Sequence, residues 1–257
     1  MTKVIDIILG ISLKLIPLRY FLALWHRSLG VKLACLKPEE ALTALMFLDN
    51  YLYTQTGKYA VTYDDGVHVK HRLTGYVDHF SDLAKDIGGP YLDIGCGRGE
   101  LAHAIASKSD QNVVGIDILE ERIEATRRLE VRPNLKYVLG DATKIDLGRQ
   151  FKTIVLSNVF EHIADRHAFL TSIQNKYAPE RFLIRVPNFE RDWRVPLKKE
   201  LGVEWRLDIT HETEHTEAKL RDELEAANLE ILKLEIHWGE FWVIAAPKEP
   251  LRRIIKT

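Results

Sequence analysis

From residue 90 onward, short apolar and β-branched runs alternate with longer stretches whose apolar positions recur at helical spacing. The runs 91–95, 112–118, 135–141, 151–158 and 181–188 read as strands, and the intervals near 99–108, 119–130, 164–177 and 216–227 as helices. Alternation of this kind predicts a parallel sheet covered by helices. Two further runs, 229–238 and 241–247, are linked by little more than Gly239 and Glu240. That link is too short for a crossover, so the pair is expected to form an antiparallel hairpin.

Upstream the texture is helical. Pro38, Glu39 and Glu40 make a good helix start, Ala41, Leu42, Leu45, Met46, Leu48 and Leu52 fall on one face, and Gly57 is the expected stop. A polar loop around Asp64, Asp65 and Gly66 leads into a second helix ending at Gly88 and Gly89. Before this lies a largely apolar stretch interrupted by Asp6, Lys14, Pro17 and Arg19, which excludes the uninterrupted run of about 20 residues that a spanning helix needs. The same charges and proline disfavour a secretory signal. Two readings stay open: short helices meeting at Pro17 that pack on the main domain, or the same helices lying in a membrane interface. The chain thus divides into an amphipathic segment 1–37, a helical preamble 38–89, an α/β domain 90–248 with an insertion at 188–215, and a tail 249–257.

Composition adds exclusions. With 257 residues, 46% of them hydrophobic, the chain is neither disordered nor collagen-like. Cys35 and Cys96 are far apart, without metal-ligand spacing, which argues against a disulfide framework and suits a reducing, cytoplasmic setting. A net charge of −1 offers no global field for nucleic acid. The average hides an asymmetry, because Lys3, Lys14, Arg19, Arg27 and Lys32 face the single acid Asp6 through residue 32. That excess suits a cytoplasmic membrane face as well as free solution.

The first strand of the α/β domain runs into Asp93, Ile94, Gly95, Cys96, Gly97, Arg98, Gly99 and Glu100. A glycine loop at a strand's carboxyl end is where doubly wound sheets bind ligands. The spacing G-x-G-x-G lacks the third glycine of a dinucleotide fingerprint, since Glu100 stands there. Asp93 and Glu100 would repel a pyrophosphate but suit an ammonium or sulfonium, which points away from NAD. Asp117 ends the second strand, where a carboxylate can accept from both hydroxyls of a ribose, and Asp141 ends the third, suited to an adenine amino group.

This ordered series, closed by Ser157, Asn158, Val159, Phe160, Glu161, His162 and Ile163 after the fourth strand, resembles the motifs of class I S-adenosylmethionine-dependent methyltransferases. The resemblance spans about 90–247. It implies a Rossmann-like seven-stranded α/β sheet of order 3-2-1-4-5-7-6 with strand 7 antiparallel. It also implies S-adenosylmethionine as cofactor, with Asp93, Gly95, Cys96, Gly97 and Gly99 at the methionyl part, Asp117 and Ile118 at the ribose, Asp141 and Ala142 at the adenine, and Ser157 and Asn158 against the methyl donor.

Methyl transfer from a sulfonium is an in-line displacement, so the protein aligns acceptor and methyl and, for a hydroxyl acceptor, removes a proton. His162 is the candidate base and Glu161 the residue that orients the site. The long 188–215 connection is expected to be an acceptor lid. Within it Asp208, Ile209, Thr210 and His211, followed by Thr216 and a helix, resemble the D-x-T-H turn of glycan-modifying methyltransferases, where the histidine faces the acceptor. His215 stands where an aromatic apolar residue is usual, and Asn228 replaces a helix-ending glycine. No metal site is expected: His211 and His215 have an H-x-x-x-H spacing but no third ligand. The segment from Asp64 to Thr74 resembles the preamble of methyltransferases encoded with surface-polysaccharide enzymes, which implies that Tyr63, His71 and Arg72 close over the cofactor. Arg72 would then meet its carboxylate. Trp238 and Trp242 are read as core or rim packing.

The expected function is O-methylation of a small or lipid-linked glycan acceptor, with no nucleic-acid partner; peripheral membrane contact through residues 1–32 belongs to the second of the two open readings. An isoprenoid quinone O-methyltransferase is the alternative within the class. A non-catalytic S-adenosylmethionine-binding subunit is the alternative outside it.

Overall fold

A computed structural model of the chain describes residues 14–248. The first thirteen residues and the tail from 249, and with them most of the helix expected before Pro17, lie outside the described residues. Helix α1 (Leu18–Ala34) opens at Pro17, whose carbonyl accepts from Tyr20 N at 2.9 Å. Pro17 fits that position because it needs no intrahelical donor. α1 buries none of its residues, which gives no support to the first of the two open readings, packing on the main domain.

Helix α2 (Pro38–Tyr63) starts where Pro38 and Glu39 predict, with the Glu40 carboxylate accepting from Lys37 N at 3.0 Å. It does not stop at Gly57. A glycine inside a helix costs about 1 kcal/mol, too little to end one, and the turn forms at Asp65 (φ 52°) and Gly66 (φ 95°) instead. A short α3 (Lys70–Thr74) and the strongly amphipathic α4 (Tyr76–Ile87) complete the preamble.

Seven strands form one sheet: β1 (Tyr91–Ile94), β2 (Val113–Asp117), β3 (Leu135–Leu139), β4 (Thr153–Ser157), β5 (Arg181–Pro187), β6 (Leu229–His237) and β7 (Glu240–Pro247). Their order is β3-β2-β1-β4-β5-β7-β6. β1 to β5 pair in parallel, and β7 runs antiparallel to both β5 and β6. This is the expected Rossmann-like methyltransferase topology.

Successive residues of the central strands are buried on opposite faces, as the pleat requires. Leu92, Ile154 and Phe182 pack on one side against α7 (Arg166–Tyr177) and α9 (Glu217–Ala226). Tyr91, Val155 and Leu183 pack on the other against α4 and α5 (Glu100–Lys108). Each fully buried Leu, Ile or Phe contributes about 1.5–3 kcal/mol, so this double layer fixes the sheet firmly and leaves its carboxyl edge free for loops. The first of these loops leads to α5, and the next, after β2, leads to α6 (Glu120–Thr126), shorter than the 119–130 expected.

The 188–215 insertion holds a helix that its sequence pattern did not reveal, α8 (Arg194–Glu200). A parallel bridge between Asn188 and His215 pins its two ends together. Asp49 on α2 accepts from Arg194 at 2.7 Å and from Lys198 at 2.6 Å, which ties the preamble to this lid. Thr216 caps the start of α9, its hydroxyl accepting from Lys219 N, and Asn228, two residues past the helix end, has φ 59°, so asparagine does supply the left-handed turn. His215 is fully buried, stacked 5.5 Å from the Phe160 ring, and fills the place of an aromatic residue. Trp242 is core, against Phe80, whereas Trp238 is 70% exposed.

Candidate active site

The turn after β1 needs its glycines. At Gly95 (φ 68°) a Cβ would stand 2.4 Å from Val159 Cγ2, and at Gly99 (φ 88°) it would stand 2.5 Å from Tyr137 Oη. No other residue allows the loop to lie so close to Val159 beyond β4 and to Tyr137 on β3. Asp117 at the end of β2 holds the loop in place, accepting from Gly97 N and from Leu119 N, each at 2.9 Å. Cys96 contributes backbone to the turn. Its buried side chain lies over Gly115, and burial pushes the thiol well above its ordinary value, so it is no nucleophile.

Two clefts flank this loop and meet at Gly95, Arg122 and Asn158. The larger, about 680 Å³, is lined by Asp117, Ile118, Asp141, Ala142 and His162. Asp141 accepts from the Thr143 amide and hydroxyl, bonds that hold its carboxyl below the ordinary range. The smaller cleft, about 570 Å³, is lined by His71, Tyr76, Asp93, Glu100 and Ser157. Asp93 is 2% exposed and its Oδ2 has no partner; burial, with Asp117 and Glu100 nearby, pushes its carboxyl up to about 8. An orphaned acid facing this cleft fits a cationic ligand, and the trough around the loop fits S-adenosylmethionine: adenosine on the Asp117 and Asp141 side, the charged amino acid portion on the Asp93 side.

Two expected cofactor residues stand elsewhere. Arg72 is captured by Asp64 at 3.0 Å and Tyr63 is 80% exposed, and neither lines either of these two clefts, because the turn at Asp64 to Gly66 carries them outward. His71 does reach the site, its imidazole held down to about 4 by burial and by neighbouring Lys70. Arg185 was not anticipated. It is 5% exposed on β5, its guanidinium sits 3.6 Å from the centre of the Tyr76 ring, and its Nε lacks a hydrogen-bond partner. The Glu240 carboxylate stands 3.5 Å away. An arginine within an apolar strand run was the available signal.

After β4 a single 3₁₀ turn, Phe160–His162, brings Glu161 and His162 to the edge. The Glu161 carbonyl accepts from the lid at Glu212 N, 2.9 Å away, which seats His211 beside them. The two imidazoles meet edge to face with centroids 4.6 Å apart, and His211 Nε2 lies 3.9 Å from Glu161 Oε1. Glu161 is fully buried with both carboxylate oxygens unpartnered; burial pushes it up to about 8. His162 is held below its ordinary value by burial and by His211.

The tautomers follow from the hydrogen bonds. Thr210 Oγ1 donates to Asp208, so at 3.0 Å it accepts from His162 Nδ1. Glu214 Oε1 accepts from His211 Nδ1 at 3.2 Å. Both imidazoles therefore present an Nε2 lone pair. His211 and His215, the pair considered for a metal, do not converge: His215 Nε2 is bonded to Glu223 at 2.9 Å. Among the described residues it is Glu161, His162 and His211 whose ligand atoms all lie within 4.8 Å of one another.

A third cavity, about 450 Å³, opens beneath the lid and shares Tyr76 and Arg185 with the methionyl-side cleft. Tyr53, Trp205 and Trp238 provide rings, and Lys70 joins Arg185 as a cation. Burial, with Arg185 also acting, holds the Lys70 ammonium below its ordinary value.

Comparison with known proteins agrees with this geometry. A family model described as a methyltransferase domain matches residues 67–234. Among curated proteins, the chain is 34% identical over 91 residues to a cyclopropane-fatty-acyl-phospholipid synthase of Escherichia coli (strain K12), covering 35% of this chain and 23% of that one. It is 28% identical over 110 residues to a ubiquinone biosynthesis O-methyltransferase of Neisseria meningitidis serogroup C, covering 41% and 45%. The chain thus spans 23% to 45% of the length of these relatives. Among solved structures, magnesium protoporphyrin IX methyltransferase from Synechocystis PCC 6803, with SAH bound, aligns with a TM-score of 0.54 at 18% identity over 67% of this chain and 82% of that one, a likeness of fold. Because the family match covers more than half of the residues, and the sheet order and glycine loop agree with it, the chain belongs to the methyltransferase-domain family and has the class I S-adenosylmethionine-dependent methyltransferase fold.

Proposed function

We propose that the chain is an O-methyltransferase whose acceptor is a phosphorylated or pyrophosphate-linked sugar, as in a lipid-linked glycan. The observation that carries this reading is the third cavity. Aromatic faces suit a sugar ring, and Lys70, which among the described residues has no ion-pair partner, stands with the half-satisfied Arg185 to meet an anionic group. The cavity joins the cofactor trough at Tyr76 and Arg185, so an acceptor held there can reach the methyl donor.

S-adenosylmethionine, when bound, supplies a methyl carbon whose bond to sulfur breaks as the bond to the acceptor oxygen forms. The chain's own residues do the rest. Asp93 and Glu100 favour a cationic ligand, the glycine loop admits it closely, and the acceptor hydroxyl loses its proton at the cluster of Glu161, His162 and His211. His211 sits on the lid, so lid and β4 edge act on the acceptor together.

A neutral quinol is the second reading. It is favoured by the similarity to the ubiquinone biosynthesis enzyme and by the apolar stripe Leu15, Leu18, Leu22 and Trp25, exposed along and just before α1. That stripe, with four lysines and arginines and no acid between residues 14 and 34, supports a resting place on an anionic lipid surface for either acceptor. Labelled methyl offered to sugar phosphates, lipid-linked glycans and quinols decides between them. Incorporation into the phosphorylated sugars, with KM raised about 10–100-fold in Lys70→Ala, is the expected result. Incorporation into quinols with KM unmoved by Lys70→Ala would overturn the acceptor assignment.

A further inference from the structure

We propose that Glu161, His162 and His211 bind a divalent transition-metal ion at the methyl-accepting edge of the sheet. Three features converge on it. The donor set is two imidazole nitrogens and one carboxylate oxygen within 4.8 Å of one another, so closing on an ion at about 2.1 Å requires shifts on the order of 1 Å. The Glu161 carboxylate is enclosed with neither oxygen hydrogen-bonded, a costly state unless a cation completes it. Both Nε2 lone pairs are freed by partners on Nδ1, Thr210 for His162 and Glu214 for His211, and a carboxylate behind a ligating imidazole is the arrangement that orients and strengthens it.

Glu214 is itself fixed, by Arg191 and by the Leu207 amide at 2.5 Å, so the support extends a shell further. Imidazole ligands favour zinc, iron, cobalt or nickel over magnesium or calcium. Three protein ligands leave coordination positions open, and His162 lines the adenosine-side cleft, which meets the methionyl-side cleft at Asn158. The site deepens the O-methyl-transfer reading and rests on it only for what the ion does. A hydroxyl that reaches the cation ionises more readily than in water, its proton passing to solvent. His162 then acts on the hydroxyl through the ion and does not take the proton itself.

The test is a Co²⁺ titration of the full chain after EDTA treatment and dialysis, read by visible d–d absorption, with S-adenosylhomocysteine calorimetry on the same samples. One Co²⁺ per chain is expected. Loss of a supporting residue typically weakens such sites about 10–100-fold, so Glu161→Gln and His211→Ala should weaken Co²⁺ by more than ~100-fold while S-adenosylhomocysteine binding persists. Retained binding of that compound shows each variant folded. Absence of saturable Co²⁺ binding in the wild type, or Co²⁺ binding unchanged in Glu161→Gln, overturns the metal site whatever the calorimetry gives. Failure of S-adenosylhomocysteine to bind would count against the methyltransferase reading separately.

Discussion

Gly95 carries the tightest steric demand of the cofactor loop, with left-handed backbone and Val159 against the position a Cβ would take. Strain of this kind costs about 1–3 kcal/mol. Gly95→Ala should therefore weaken S-adenosylhomocysteine about tenfold or more by calorimetry; unchanged affinity would mean the loop does not approach the ligand. Glu223 sets a different demand. Burial alone would raise its carboxyl, but hydrogen bonds from His215 and from Arg166, the latter at 2.7 Å, outweigh this and hold it at about 2. A carboxyl lowered on folding stabilises above its unfolded value near 4.5, and that contribution is lost as pH falls from there toward 2. Glu223→Gln should cost roughly 2–4 kcal/mol at pH 7 and show a flatter stability profile below pH 4.5 in denaturant titrations. Asp93, the glycines and Asp117 were legible in the sequence because their chemistry is nearly contiguous. Arg185, Lys70 and Glu240 come from three distant segments: the pairing of β5 with β7 brings Arg185 and Glu240 together, and α3 adds Lys70 to the same cavity.

Elements were legible where one periodicity rules a segment. All seven strands lie where apolar runs end at turn residues, and the β6–β7 hairpin follows from its short link. α8 was not, since its seven residues sit in a charged loop and owe their place to Asp49 on α2. The path of Tyr63 and Arg72 was also hidden, because it depends on where α2 stops, which no local glycine decides. α1 makes a prediction of its own. Its apolar stripe is unburied and its charge is wholly positive, so the full chain should co-sediment with anionic liposomes. Leu18→Glu combined with Leu22→Glu should abolish that without changing S-adenosylhomocysteine affinity. Equal partitioning of both proteins would remove the membrane role. No helix among the described residues is long and apolar enough to cross a membrane.

At the scale of the whole molecule, a net charge of −1 averages over parts with different tasks. The N-terminal piece collects cations, and the sheet edge collects the acids Asp93, Asp117 and Asp141 around a trough for a cationic ligand. The preamble, lid and sheet are fastened at the points where chemistry is expected: Asp49 to α8, the Glu161 carbonyl to the lid, and Arg185 to Tyr76. The donor trough is the premise of every proposal about acceptor or metal. Calorimetric titration of the full chain with S-adenosylhomocysteine and, separately, with NAD tests it most directly. One S-adenosylhomocysteine per chain, with no heat of binding for NAD, is the predicted result; binding of NAD in place of S-adenosylhomocysteine, or of neither, would contradict it.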